Sequence, residues 1–359
     1  MTDAVRYHAE MAEADLYDYS LPAELVAQEP LADRSAARLL VVGRATGGLR
    51  HRHVRDLPEI LRPGDLVVVN DSRVVPARLV GRREKTGGRW EGLFLRVDEA
   101  TGAWQILAHT RGRPAIGERV LLEGRDGGAT AALTLVGRAG GGSWLAAPDA
   151  AGSPEAILER VGHVPLPGYI RGGVEAAGDR ERYQTVYARA SGSAAAPTAG
   201  LHFTTELLER LAARGIERAS VTLHVGLGTF RPITAERLDD HVMHTEWCGC
   251  PAETVAAVAA ARGRGGRVVA VGTTAARTLE SAARAATAGG WSGTTDLFIR
   301  PGFEFRVVDC LLTNFHMPRT TLMVLVSAFA GRELILRAYD EAIRERYRFL
   351  SYGDAMLLE

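Results

Sequence analysis

Arg267-Val-Val-Ala-Val-Gly272-Thr-Thr-Ala-Ala-Arg277 is the stretch that decides the fold. Val268 to Val271 is apolar without a break, the pattern of a strand buried on both faces of a parallel sheet. Gly272 ends it, and Thr274 to Ala288 reads as a helix that stops at Gly289-Gly290. A buried strand that turns directly into a helix is the repeating unit of an α/β domain. The flanking chain extends that unit. Leu207, Leu208 and Leu211 give Thr204 to Arg214 a helical period, with Gly215 as its stop. In Ala219 to Val225, Val221, Leu223 and Val225 point one way while Thr222 and His224 point the other, as in a strand. Pro251 to Arg262 reads as a helix with proline in its first position. Further on, Asp296–Ile299 and Phe303–Val308 read as strands, and Thr320–Phe329 and Glu333–Tyr347 as helices.

Upstream the pattern changes. Short β-rich runs, Asp65–Asn70, Val75–Arg82, Glu91–Asp98, Trp104–Thr110, Glu118–Leu122 and Ala131–Val136, are separated by turns such as Gly87-Gly88 and Gly140-Gly141-Gly142. Six such runs without a helical period between them predict an antiparallel β-barrel. The expected architecture is an α/β domain made by both ends of the chain, residues 16–64 and 150–359, with a barrel of residues 65–149 inserted in it. A short helix is expected over Leu21 to Gln28, and residues 1–15 as a flexible tail.

With 46% hydrophobic and 24% charged residues in 359, the chain has a globular balance that excludes disorder as its main state. Forty-three basic residues cancel 43 acidic ones, so any contact with nucleic acid must rest on local patches. Only Lys85 is a lysine; the other basic residues are arginines, whose planar fork suits carboxylate and phosphate. Cys248, Cys250 and Cys310 are too few for a disulfide framework. Met1 to Asp15 is too polar for a secretory signal, and Leu322–Ala330 is too short to span a bilayer. A cytoplasmic protein without membrane attachment is expected.

Polar strings mark where chemistry can sit. Asp33-Arg-Ser-Ala-Ala-Arg38 and Asn70-Asp-Ser-Arg-Val74 each also read as a cap or turn with arginine pairs. Arg182-Tyr-Gln-Thr-Val-Tyr187 leads to Ala196-Pro-Thr-Ala-Gly-Leu-His-Phe-Thr204, where His202 is either functional or a packing residue before a helix. Thr222-Leu-His-Val-Gly-Leu-Gly-Thr-Phe-Arg231 ends a strand in a glycine turn, the part of an α/β sheet where ligands gather. It is no dinucleotide fingerprint, because Arg231 stands at the third glycine position. His241-Val-Met-His-Thr-Glu-Trp-Cys-Gly-Cys250 invites a metal reading, but its spacing fits no standard zinc pattern, and no metal is expected. Gly272-Thr273-Thr274 opens a helix whose free N–H groups suit a carboxylate or phosphate, with Arg277 as a possible fork; simple N-capping explains the threonines equally. Asn314, His316 and Arg319 fall in a loop between a strand and a helix.

Taken in order, Asp33-Arg-x-x-x-Arg-Leu-Leu, Asn70-Asp-Ser-Arg-Val, Arg182-Tyr-Gln-Thr-Val-Tyr, Ala-Pro-Thr-Ala-Gly-Leu-His-Phe, Thr-Leu-His-Val-Gly-Leu-Gly-Thr-Phe, Gly-Thr-Thr-x-x-Arg-Thr-Leu-Glu-Ser, Leu-x-Thr-Asn-Phe-His-x-Pro and Tyr352-Gly-Asp-Ala-Met356 closely resemble one family. It is the S-adenosylmethionine:tRNA ribosyltransferase-isomerases of the queuosine pathway, and the resemblance runs from about Tyr17 to Leu357. It implies the same fold, an α/β domain with an inserted barrel. It also implies that the ribosyl part of S-adenosylmethionine is joined to 7-aminomethyl-7-deazaguanine at the tRNA wobble position. The sugar rearranges to give epoxyqueuosine, while adenine and methionine leave. S-adenosylmethionine is then a co-substrate, tRNA is the partner, and a monomer is expected.

A sulfonium acidifies its neighbouring carbon, adenine leaves more easily when protonated, and the attacking amine sheds a proton; imidazole and carboxylate suit such steps. The candidates are His202 and His224 first, then His241, His244, Glu246 and His316. Arg182, Tyr183, Thr198, Gly226, Gly228, Arg231, Gly272, Thr273, Thr274, Arg277 and Asn314 are expected to bind the small substrate. Arg38, Arg73, Arg78, Arg82, Arg83 and Lys85 are expected to meet tRNA, although a charged run equally reads as a solvated face. A methyltransferase, or a non-catalytic RNA-binding protein, is the alternative. The methyltransferase lacks its early glycine loop, and the RNA-binding protein leaves the second half's polar strings unexplained.

Overall fold

The computed structural model describes residues 12–124, 129–226, 232–285 and 289–359. In chain order the strands are β1 Arg38–Val42, β2 Leu49–His53, β3 Leu66–Asn70, β4 Ser72–Val74, β5 Arg78–Arg83, β6 Arg89–Val97, β7 Trp104–Thr110, β8 Arg119–Glu123, β9 Ala129–Arg138, β10 Trp144–Pro148, β11 Gly162–His163, β12 Ala190–Ser193, β13 Glu217–Leu223, β14 Glu246–Cys250, β15 Val268–Val271, β16 Trp291–Thr295, β17 Cys310–Asn314 and β18 Ala355–Leu358. The α-helices are α1 Leu57–Ile60, α2 Pro154–Val161, α3 Asp179–Arg182, α4 Thr205–Ala213, α5 Ala252–Gly263, α6 Thr273–Ala285, α7 Thr321–Ala330 and α8 Arg332–Arg344. The described residues divide into two compact units. The larger takes the chain up to Asp71, Thr185–Tyr187 and Pro197–Glu359, and the smaller takes Ser72–Gln184 and Ala188–Ala196.

The larger unit is an α/β domain built from both ends of the chain. Its nine-stranded sheet has the order β16-β14-β13-β3-β15-β17-β18-β1-β2. The central strands β13, β3, β15 and β17 are mutually parallel, and β14 and β18 flank them antiparallel. Every residue of β3, β15 and β17 is buried, as a parallel strand covered on both faces requires. Leu39, Val41, Val67, Val69, Val269, Val271 and Leu312 form one core with Phe203 and with Leu207 and Leu211 of α4. That helix is capped as its sequence suggests, with the Thr204 hydroxyl accepting the Leu207 N–H at 3.1 Å.

The smaller unit holds a closed antiparallel barrel, β5-β6-β7-β10-β9-β8, sealed by the pairing of β5 with β8. Trp90, Trp104, Trp144, Ile106, Leu122 and Leu133 fill it, together with Ile157, Leu158 and Val161 of α2. The expected inserted barrel is present, but one of its strands is different. Leu66–Asn70 lies at the centre of the large sheet, and β10 supplies the sixth barrel strand. The reason is visible in the residues: β3 is apolar at consecutive positions, whereas β8 alternates buried and half-buried side chains. Residues 65–71 therefore belong with the larger unit and 150–184 with the smaller.

Two further expectations fail locally. The helix over Leu21 to Gln28 is a single 3-10 turn, Ala23–Leu25, because the chain that would continue it bonds to Phe349 instead, through the Leu25 carbonyl and the Ala27 N–H. Asp296–Ile299 and Phe303–Val308 form no strand. The amides of Arg306, Val307 and Val308 donate to the buried Glu280 carboxylate at 2.9–3.1 Å, which replaces a neighbouring strand. Among the described residues, no helix is long and apolar enough to cross a membrane.

Candidate active site

Because β3, β13, β15 and β17 run in parallel, their carboxyl ends share one edge of the sheet, where α/β domains hold ligands. Asn70-Asp71, His224, Gly272-Thr273-Thr274 and Asn314-Phe315-His316 all follow from those strand ends. Asn70 staples three of them together. Its amide donates to the Leu223 carbonyl at 3.0 Å and to Thr274 Oγ1 at 3.2 Å, while its oxygen accepts the Leu223 N–H at 3.0 Å. Gly272 turns the chain from β15 into α6 at φ 89°, a left-handed conformation that a side chain would strain. Thr198 adds a fourth contact, donating to Asn314 Oδ1 at 2.8 Å.

Glu246 and Arg277 form a buried ion pair beside that edge, with side chains only 3% and 4% exposed. Glu246 also accepts the Gly226 N–H at 2.8 Å, and Arg277 Nε donates to the Leu297 carbonyl at 3.1 Å. Among the described residues, Arg277 Nη2 is buried with no hydrogen-bond partner. A guanidinium N–H left unsatisfied in an interior is costly, so this donor is suited to an acceptor brought by a ligand.

The histidines differ in what surrounds them. His224 stacks on Trp247, ring centroids 5.2 Å apart, and its buried Nδ1 has no partner among the described residues. Burial holds its pKa below the ordinary histidine value, against the pull of Asp71 in the other direction. Asp71 is itself held by the Thr222 hydroxyl at 2.6 Å. His202 is buried with both ring nitrogens at main-chain carbonyls, Ala199 at 3.2 Å and Gly353 at 2.9 Å. Desolvation lowers its pKa as well. His316 is bonded to Thr313 Oγ1 at 2.9 Å, and burial pushes it down to about 3. His241 packs edge-on against Phe298, its pKa lowered first by burial and then by His244. His244 is exposed. Gly228 and Arg231 lie outside the described residues.

Arg182 and Tyr183 close α3 in the smaller unit, where Tyr183 is fully buried. Most of the barrel's basic run is already paired with acids. Arg78 meets Glu91 at 3.0 Å, Arg82 meets Glu123 at 2.7 Å, and Arg83 forks onto Glu118. Arg73 and Lys85 are exposed. Arg38, in the larger unit, lies over the Tyr347 ring at 3.7 Å and donates to the Glu345 carbonyl at 2.6 Å. Among the described residues, no three His, Cys, Asp or Glu side chains are grouped to hold a metal. The thiols of Cys248, Cys250 and Cys310 are each raised to about 11 by burial. Sequence reasoning gave no individual role to Asn70, Asp71 or Trp247, because a polar side chain that closes a strand looks like an ordinary turn until its partners are known.

Residues 14–358 match the family model described as Queuosine biosynthesis protein. The chain belongs to that family. A relative from Symbiobacterium thermophilum, named S-adenosylmethionine:tRNA ribosyltransferase-isomerase, is 52% identical over 344 residues, covering 95% of this chain and 98% of the relative. One of the same name from Moorella thermoacetica is 51% identical over 348 residues, with 95% and 98% covered. The crystal structure of an S-adenosylmethionine tRNA ribosyltransferase from Thermotoga maritima is 36% identical, with a TM-score of 0.55 over 96% of this chain and 100% of that one. Membership makes this protein an enzyme of queuosine biosynthesis, a transferase and isomerase.

Proposed function

We propose that this enzyme transfers the ribosyl moiety of S-adenosylmethionine to a tRNA base and isomerises it, the reaction its full-length relatives are named for. The acceptor is 7-aminomethyl-7-deazaguanine at the wobble position, the product is epoxyqueuosine, and adenine and methionine leave. The observation that carries the site assignment is the shared strand edge, where an imidazole nitrogen and a guanidinium N–H with no partner among the described residues accompany the start of α6. The methionine carboxylate rests on the Thr273–Thr274 helix start and accepts from Arg277 Nη2.

His224 is the proton acceptor. Burial keeps it neutral near pH 7, and Nδ1 has no partner within the described chain, so a lone pair is available. It removes a proton from the carbon beside the sulfonium. The bond from the sugar to adenine then breaks and adenine leaves carrying that proton. The amine nitrogen bonds to the sugar and sheds its own proton, the deprotonated carbon closes the five-carbon ring, and a sugar oxygen forms the epoxide as it displaces sulfur, releasing methionine. His202, His241, His244, Glu246 and His316 serve as positioning groups. His202 has both nitrogens committed to carbonyls, and His316 is too weakly basic to take a proton near neutrality. Arg73 and Lys85 contact the tRNA, and the enzyme works as a cytoplasmic monomer.

Mass spectrometry of precursor tRNA after incubation with enzyme and S-adenosylmethionine is the test. The expected result is the mass gain of the rearranged sugar with release of adenine. Release of S-adenosylhomocysteine would instead mean methyl transfer and overturn the proposal.

A further inference from the structure

Apart from His224 at its end, the face of β13, β14 and β16 turned away from α6 has no role in the chemistry above. Pairing puts Thr222 opposite Gly249 and Gly249 opposite Ser292; one step along, Trp247 stands opposite Thr294, with the His224 N–H bonded to the Trp247 carbonyl at 3.0 Å. Directly paired residues point to the same side of a sheet, so these side chains form one strip. Glu246, Cys248 and Cys250 point to the other side, where Thr278 and Arg277 lie against Cys248. Trp247 is 45% exposed, and Ser292 and Thr294 are exposed beside it. A groove of about 400 Å³ runs along the strip, lined by Thr222, Trp247, Gly249, Pro251, Gly290 and Ser292.

We infer that this strip is a stacking platform for an unpaired nucleotide of the tRNA substrate, with the Trp247 indole as the surface on which its base lies. The inference rests on the proposed tRNA reaction. Three features favour a base over a protein partner. Beside Cys250, Pro251, Ala252 and Trp291, the groove is lined by glycines and by the hydroxyl side chains of Thr222 and Ser292, which offer hydrogen bonds to base edges and phosphate. Its exposed large apolar group, the Trp247 indole, is a flat ring standing beside glycine, and stacking on an aromatic side chain is how proteins hold splayed RNA bases. The strip is continuous with the strand edge, because Trp247 already stacks on His224, and exposed Arg218 lies on the same face of β13 to meet phosphate.

The test is equilibrium binding of a synthetic anticodon stem-loop, compared with a fully paired RNA duplex of equal length. Trp247→Ala is expected to weaken stem-loop binding by about 5- to 150-fold, the range for losing one stacked base, and to leave duplex binding unchanged. Trp247→Phe is expected to retain most of the affinity. Thr294 is exposed and outside the chemistry, so a pair of variants there holds the test if Trp247→Ala fails to fold. Thr294→Glu weakens stem-loop binding and Thr294→Arg strengthens it. Wild-type affinity in both Trp247→Ala and Thr294→Glu, or equal losses for stem-loop and duplex, overturns the platform. Failure of the underlying reaction is read separately, as no adenine release by the wild type on precursor tRNA.

Discussion

Removing Glu246 should expose how the candidate site is held together. Its carboxylate is the counter-charge of Arg277 and the acceptor for the Gly226 N–H, and both side chains are almost wholly buried. Glu246→Ala therefore leaves a buried guanidinium without its partner and a backbone N–H without an acceptor. Breaking a buried pair from one side costs about 3–5 kcal/mol, most of it the penalty on the charge left behind. Arg277→Met should cost a similar amount by stranding the carboxylate. The double variant removes both charges at once and should be less destabilised than either single variant, with a coupling of at least about 2 kcal/mol. Urea unfolding of the wild type, the two single variants and the double variant gives this number directly. Glu246→Gln keeps an acceptor for Gly226 and should fall between wild type and Glu246→Ala. If the two single losses simply add, to within about 0.5 kcal/mol, Glu246 and Arg277 do not act as one unit and Arg277 is not a preformed guanidinium site.

Three more outcomes follow from the same geometry. His316 titrates near 3 in the folded chain and near 6.5 when unfolded, so the unfolded state binds the extra proton; stability is complete above about pH 6.5 and declines as pH falls from there towards 3. Urea midpoints of His316→Gln against pH should show a shallower decline than the wild type. An added methyl group at Gly200 would lie 2.2 Å from the Tyr187 hydroxyl, which is itself buried with no partner among the described residues. Gly200→Ala is expected to cost about 1–3 kcal/mol, Tyr187→Phe alone to cost nothing, and the two together to recover part of the loss, all measured by thermal unfolding. In the barrel, Arg83→Ala should lower the unfolding midpoint because Glu118 is buried beneath it, whereas Arg82→Ala, at a well-exposed pair, should leave it unchanged.

The sequence made the α/β frame legible wherever one pattern had one interpretation. Val268–Val271 running into Gly272 could hardly be anything but a central strand and its turn, and the Thr204 cap with Leu207 and Leu211 marked α4 within a residue. Leu66–Asn70 misled because it precedes the barrel strands at their own spacing; only its unbroken apolar character separated it from them. Residues 303–308 misled for a different reason. Their β-like composition satisfies its amides on Glu280, a contact between positions too distant in sequence for any local pattern to reveal. The same limit applied to the site. His202 and His224 look alike as histidines near glycine, and what distinguishes them is the Gly353 carbonyl facing one and the Trp247 ring stacked on the other. The barrel arginines suggested a field for RNA, but their carboxylate partners sit on neighbouring strands.

Hydrogen–deuterium exchange with and without S-adenosylmethionine tests the central claim most directly. Protection should concentrate in the peptides spanning 70–71, 222–226, 272–278 and 313–316, the carboxyl ends of the four parallel strands. Protection confined to the opposite end of the sheet, around Arg44 and 331–337, would contradict it.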